Sequence, residues 1–182
     1  GSSGQTSARG ERRAVGGGLK ERSDAGASDD AVQENSALAL PSEMWTFGQN
    51  SYGELVHGDT NSRTMPGKVD GIGLGGYGGE CISQVAAGNE HTCVLTESGL
   101  VLMAGYNDNG QCGQGTTERV DSLTVIESLR DKHVVQVHAY NGCEHTLVVT
   151  RDGRLYAFGY NYRGQLGLGS TSSVFVPQLV RG

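Results

Sequence analysis

The sequence predicts an all-β fold: antiparallel sheets of four short strands, stacked as the blades of an incomplete β-propeller ring behind a disordered N-terminal tail. Three observations carry this. Glycine supplies 30 of 182 residues, about 16% where roughly 7% is usual, so long helices are improbable. One block of sequence recurs three times at fixed internal spacing, the mark of a repeat architecture. Within the later blocks a glycine turn separates two short β-branched runs, the written form of a hairpin.

Residues 1–41 hold Gly, Ala, Ser and mixed charge with hardly an aromatic or β-branched residue. Such a composition cannot bury enough apolar surface to offset chain ordering, so this stretch is expected to be a disordered tail. Its five basic and six acidic residues nearly cancel, so it is no basic arm. The opening Gly-Ser-Ser-Gly without an initiator Met reads as a cloning scar or the start of an excerpt.

The first unit, near residues 44–72, opens with Trp45-Thr46-Phe47-Gly48 and runs through Asn50 and Gly53 to Gly58. The second, near 81–128, has Leu102-Met103-Ala104-Gly105, Asn107, Gly110 and Gly115; the third, near 134–182, has Tyr156-Ala157-Phe158-Gly159, Asn161, Gly164 and Gly169. Offsets of 57 and 54 residues relate all three sets of glycines. Residues 88–117 and 142–171 share 15 identities in 30 positions. Upstream, Gly88 to Thr96 recurs as Gly142 to Thr150, bringing His91 and His145 into equivalent places. Further short strands are expected at Ile82 to Ala87 and Val134 to Ala139, with fourth strands near Thr124 to Ile126 and Val174 to Val180. Val94, Leu102, Val148, Tyr156 and Phe158 are expected to pack between neighbouring sheets, since one blade cannot bury its own faces.

The third unit resembles the repeat of the regulator of chromosome condensation family. It matches at Gly142, His145, Thr146, Asp152, Gly153, Tyr156, Gly159, Asn161, Gly164, Gln165, Leu166, Gly167, Gly169 and Pro177. The resemblance covers about residues 44–182 and implies a propeller whose full ring has seven blades, of which about two and a half are expected here and the rest in a longer protein. Val56 stands where the family's turn has glycine, so a strained or rebuilt first turn is expected. Cys112 takes the place of Leu166, Leu123 aligns with Pro66 and Pro177, and the first unit lacks its histidine-containing half.

Composition and motifs exclude several functions. Only 36% of residues are hydrophobic, with mean hydropathy −0.37 and no apolar run near the roughly 20 residues of a membrane span, so a soluble protein is expected. The net charge of −6 disfavours DNA contact, which rewards basic surface. Cys81, Cys93, Cys112 and Cys143 form no metal-binding spacing, and no secretory signal precedes them; reduced thiols inside the cell, in cytoplasm or nucleus, are expected. Gly71 to Gly76 satisfies G-x-G-x-x-G but is followed by Tyr77-Gly78-Gly79, which cannot open a helix, so it reads as a linker between blades. No cofactor, metal site or catalytic residue is expected. His91 and His145 recur once per unit and read as structural hydrogen-bonding imidazoles, alongside Gly48, Gly53, Gly58, Gly105, Gly110, Gly115, Gly159, Gly164 and Gly169 as structural repeat positions.

The residues that vary inside the repeat bear on binding. Gln49, Ser51 and Tyr52 correspond to Tyr106, Asp108 and Asn109, and to Tyr160, Tyr162 and Arg163. Turn residues at one offset gather on one face of a propeller, and Tyr and Arg are favoured interface anchors. Tyr52, Tyr160, Tyr162 and Arg163 are therefore the expected contacts of a non-catalytic protein-interaction module. The resemblance implies two further readings: nucleotide exchange on, or regulation of, a small GTPase, and a regulatory domain of a large ubiquitin ligase. The expected partner is accordingly a protein, in those readings a small GTPase or a ubiquitin-pathway protein.

Overall fold

The computed structural model describes residues 5–7, 43–70 and 80–181. Among these residues eleven strands form three antiparallel sheets in which sequence neighbours pair. The first sheet holds β1 (Gln5–Ser7), β2 (Trp45–Gly48) and β3 (Arg63–Lys68). The second holds β4 (Ile82–Ala87), β5 (His91–Thr96), β6 (Val101–Gly105) and β7 (Val120–Val125). The third holds β8 (Val134–His138), β9 (His145–Thr150), β10 (Leu155–Gly159) and β11 (Val174–Leu179). A 3-10 turn at Glu127–Leu129 links the last two. The sheets are propeller blades, and the described residues do not close a ring.

The sequence repeat is also a repeat of irregularities. The ladders β2/β3, β6/β7 and β10/β11 each slip at the same place, between Thr46 and Gly48, Met103 and Gly105, and Ala157 and Gly159. Gly105 shows why glycine recurs there: its φ is 110°, and a Cβ would run into the Glu90 carbonyl and the His91 Cα.

Two expectations are corrected. The fourth strand of the second blade begins at Val120, not near Thr124; Asp121 and Ser122 are exposed on this outer strand, so no apolar alternation announces it. Within the stretch expected to be a disordered tail, Gln5–Ser7 forms a strand on β2, pairing Gln5 with Phe47 and Ser7 with Trp45. Among the described residues no strand lies directly before β2, and its edge pairs with this distant extended segment. The remainder of the tail, and the Gly71 to Gly76 linker, lie outside the described residues.

The core lies between blades. Met44, Val56 and Val69 of the first blade meet Val94, Leu102, Ala104 and Leu123 of the second. Leu95, Met103 and Ile126 of the second meet Val137, Val148 and Phe158 of the third. Alternate residues of β5 and β6 thus face opposite neighbours, and both strands are buried along their whole length. In β9 only alternate residues are fully buried, because one of its faces has no neighbouring blade among the described residues. Burying one such Leu, Val or Phe is worth about 1.5–3 kcal/mol.

Candidate functional site: the turn face

Each glycine-rich turn is organised by one buried asparagine. The Asn107 amide donates to the carbonyls of Thr116 (3.0 Å) and Glu118 (2.9 Å), while its oxygen accepts the Cys112 N–H (2.9 Å). Asn161 repeats the pattern with Ser170, Ser172 and Leu166, as does Asn50 with Asp59, Asn61 and Leu55. A second clamp fixes the tip: Glu54, Gln111 and Gln165 accept the backbone N–H of Tyr52, Asn109 and Arg163, at 2.8, 3.0 and 2.9 Å. These bonds satisfy backbone groups that the tight turns would otherwise strand.

Hydrogen bonds also join the blades. Thr92 Oγ1 donates to the Glu54 carbonyl at 2.7 Å, and Thr146 Oγ1 to the Gln111 carbonyl at 2.9 Å. His91 is buried, with Nδ1 3.3 Å from the Asn89 carbonyl and Nε2 3.2 Å from Thr146 Oγ1. Gly88 makes room for this ring, since a Cβ there would overlap the imidazole. Burial pulls the His91 pKa down to about 4, against the Asn89 carbonyl, which favours the charged form. His145 is half-buried, and its pKa too is lowered by desolvation. The two histidines therefore sit in different surroundings despite equivalent positions. On the inner strands, the Gln84 amide grips Val137, donating to its carbonyl at 2.7 Å and accepting its N–H at 3.0 Å.

The clamps leave the tips of the turns displayed. Tyr162 and Arg163 are exposed, and Tyr52 and Tyr160 are half-buried. The four do not form one cluster. Tyr160 meets Tyr162 at a tilt within the third blade, centroids 4.8 Å apart. Tyr52 pairs across the blade seam with Tyr106, also at 4.8 Å, the planes tilted by 57°. Tyr106 is a residue the sequence reading passed over, although it shares its offset with Tyr160. The Tyr106 phenol is pushed up to about 12, first by desolvation, then by its hydrogen bond to Asp108 and the negative charge of Asp108 and Glu144. Glu144 accepts the Asn109 amide at 2.9 Å. Tyr140, 63% exposed, lies in the loop joining β8 to β9, at the same end of the third blade.

At the opposite end, a cavity of about 530 Å³ is lined by Asp131, Lys132, His133, Arg151, Arg154 and Tyr156. All four cysteines are free, and burial raises the thiol pKa of Cys93, and that of Cys112 to about 12. Among the described residues no three His, Cys, Asp or Glu side chains are grouped to hold a metal ion, and no helix is long and apolar enough to cross a membrane.

Comparison with known proteins agrees with this architecture. A family model described as the regulator of chromosome condensation (RCC1) repeat matches residues 42–95, 98–149 and 152–182, and a second of the same description matches 82–111 and 134–165. The human X-linked retinitis pigmentosa GTPase regulator is 35% identical over 149 residues, covering 81% of this chain and 14% of the relative. The human E3 ubiquitin-protein ligase HERC2 is 33% identical over 138 residues, covering 75% of this chain and 3% of the relative. Among solved structures, human WBSCR16 superposes with a TM-score of 0.60 at 28% identity, over 76% of this chain and 34% of that one. The chain thus spans a small part of the length of these relatives. Three matched repeats, their recurring bulges and the asparagine-held turns place it: the chain belongs to the regulator of chromosome condensation repeat family.

Proposed function

We propose that the chain is a non-catalytic recognition module, a run of propeller blades that presents its glycine-rich turns to a protein partner. One observation carries the reading. The residues that hold the turns, Asn50, Asn107 and Asn161, are fully buried, whereas the positions that vary between repeats stand at the tips and hold tyrosines. Rigid turns with aromatic tips lower the entropic cost of docking. Tyr52, Tyr160, Tyr162 and Arg163 are the contacts assigned on this basis, with Tyr106 added by its pairing to Tyr52. An intracellular site, cytoplasmic or nuclear, accompanies the reading, and the net charge of −6 disfavours DNA as the ligand. The test compares proteins retained by the full chain, by a Tyr52→Ser/Tyr162→Ser variant and by a Lys132→Ala/Arg151→Ala variant of the opposite end. A partner lost with the first variant and kept with the second is expected; the reverse pattern refutes the turn face.

A second reading, regulation of a small GTPase, draws on the similarity to a GTPase regulator. It requires the chain to bind the nucleotide-free form better than the loaded form. Release of labelled nucleotide from candidate GTPases measures this, and no acceleration by a complete propeller holding these blades rejects it. A regulatory role within a ubiquitin ligase draws on the similarity to HERC2; it predicts that deleting the blades from the whole protein alters ligase substrate choice and leaves catalysis intact.

A further inference from the structure

Resting on the recognition reading above, we infer that the turn face at the seam between the first two blades is a seat for an arginine side chain carried by a basic segment of the partner, with the Tyr52–Tyr106 pair as its aromatic floor and Asp108 of the second blade and Glu144 of the third as its counter-charges. The two rings touch, with centroids 4.8 Å apart and planes tilted by 57°, so nothing enters between them and a flat cation stacks on the outer side of the pair, where both residues are partly exposed. Asp108 takes the Tyr106 hydroxyl, and Glu144 is held by the amides of Asn109 (2.9 Å) and Asn89 (3.5 Å). Amides orient a carboxylate without neutralising it.

Among the described residues, ion pairs join Arg63 to Asp59, Lys68 to Glu43, Arg119 to Asp121, Arg130 to Glu127 and Arg154 to Asp152. None involves Asp108, Glu144 or the nearby Glu90. Beneath the seam the Glu54 carboxyl is held above its ordinary range, chiefly by burial, with the charge of Glu90 adding to the effect. The seam thus combines aromatic faces with carboxylates that no Lys or Arg among the described residues pairs. A guanidinium answers both features, since it stacks on aromatic rings and donates to carboxylates from one plane. An ammonium group supplies charge but no stacking plane, so arginine is preferred to lysine.

Fluorescence anisotropy with the full chain tests the assignment. The probes are a labelled twelve-residue Gly-Arg-Ser repeat peptide, its lysine twin and its citrulline twin, which keeps the shape and lacks the charge. Binding of the arginine peptide is expected, weaker binding of the lysine peptide, and about tenfold or weaker binding of the citrulline peptide. Asp108→Asn and Tyr106→Leu are each expected to weaken the arginine peptide by about three- to tenfold, while Glu97→Gln at the opposite end leaves it unchanged. Tyr106→Phe, which keeps the ring, retains most of the affinity and separates loss of the aromatic floor from misfolding. Equal binding of arginine and citrulline peptides, equal loss in Glu97→Gln, or no binding overturns the proposal. Tighter peptide binding after Arg12→Gln/Arg13→Gln also overturns it, by assigning the seat to the chain's own tail. If the peptide fails while a partner still depends on Tyr52 and Tyr162, the arginine seat alone is refuted; if that dependence fails too, so is the recognition reading.

Discussion

Exchanging the size pairing between two blade seams provides a quantitative test of how the blades fit. Gly113 has φ 65°, and a Cβ there would stand 2.8 Å from Phe158 Cε2 and 3.1 Å from Ile126 Cδ1. The equivalent turn residue in the first blade is Val56, with φ 67°, and the equivalent of Phe158 is Ala104, in the same buried cluster as Val56. The valine occupies volume that a phenylalanine takes in the other seam. Val56→Gly alone removes burial worth about 1.5–2 kcal/mol and adds a glycine entropy cost of about 0.5–1 kcal/mol. It relieves about 1 kcal/mol of left-handed backbone strain, for a net loss of about 1–2 kcal/mol. Ala104→Phe alone drives a ring into Val56 and costs about 3 kcal/mol. The double variant is expected within about 1 kcal/mol of the parent, giving a coupling of about 3–5 kcal/mol. Urea unfolding followed by the single tryptophan, Trp45 of the first blade, measures all four proteins. Additive losses in the double variant would refute the size pairing.

Three further outcomes follow from the geometry. Asn107→Ala removes three hydrogen bonds and strands buried backbone groups, so unfolding free energy is expected to fall by about 2–4 kcal/mol in a denaturant titration, more than for half-buried Asn109→Ala, which loses one side-chain bond to Glu144. His91 has a folded pKa near 4 against an ordinary value of about 6.5. The unfolded chain therefore takes up the proton first; the stabilisation is complete above about pH 6.5 and is lost towards pH 4, on the order of 3 kcal/mol in all. His91→Gln should flatten that limb of the stability profile. Thiol labelling of the native protein should modify Cys81 and Cys143, which are partly exposed, well before the buried Cys93 and Cys112, whose thiol pKa values are raised; equal rates would contradict the burial.

The blades were legible because glycine offsets record backbone geometry directly: Gly48, Gly105 and Gly159 all mark the same bulge. The departure at Val56 was legible for the same reason, and its left-handed φ is what that departure required. Gln5–Ser7 could not be read as a strand, since nothing local in those residues demands pairing; the demand comes from the unpaired edge of β2, some forty residues on. The early start of β7 was hidden because an outer strand with polar Asp121 and Ser122 lacks the alternation by which buried strands announce themselves. At the turn face, the sequence placed Tyr52, Tyr160, Tyr162 and Arg163 at turn tips but not their partners. The Tyr52–Tyr106 contact depends on the rotation of one sheet against the next, which spacing along a chain does not encode.

The latches at Thr92 and Thr146 grip main-chain oxygens of the preceding turn rather than its side chains. Every amino acid offers such an oxygen, so substitution at a tip leaves the grip on its neighbour undisturbed. A lineage could therefore rewrite residues 51–52, 108 and 162–163 to greet new associates while the stack beneath stays seated.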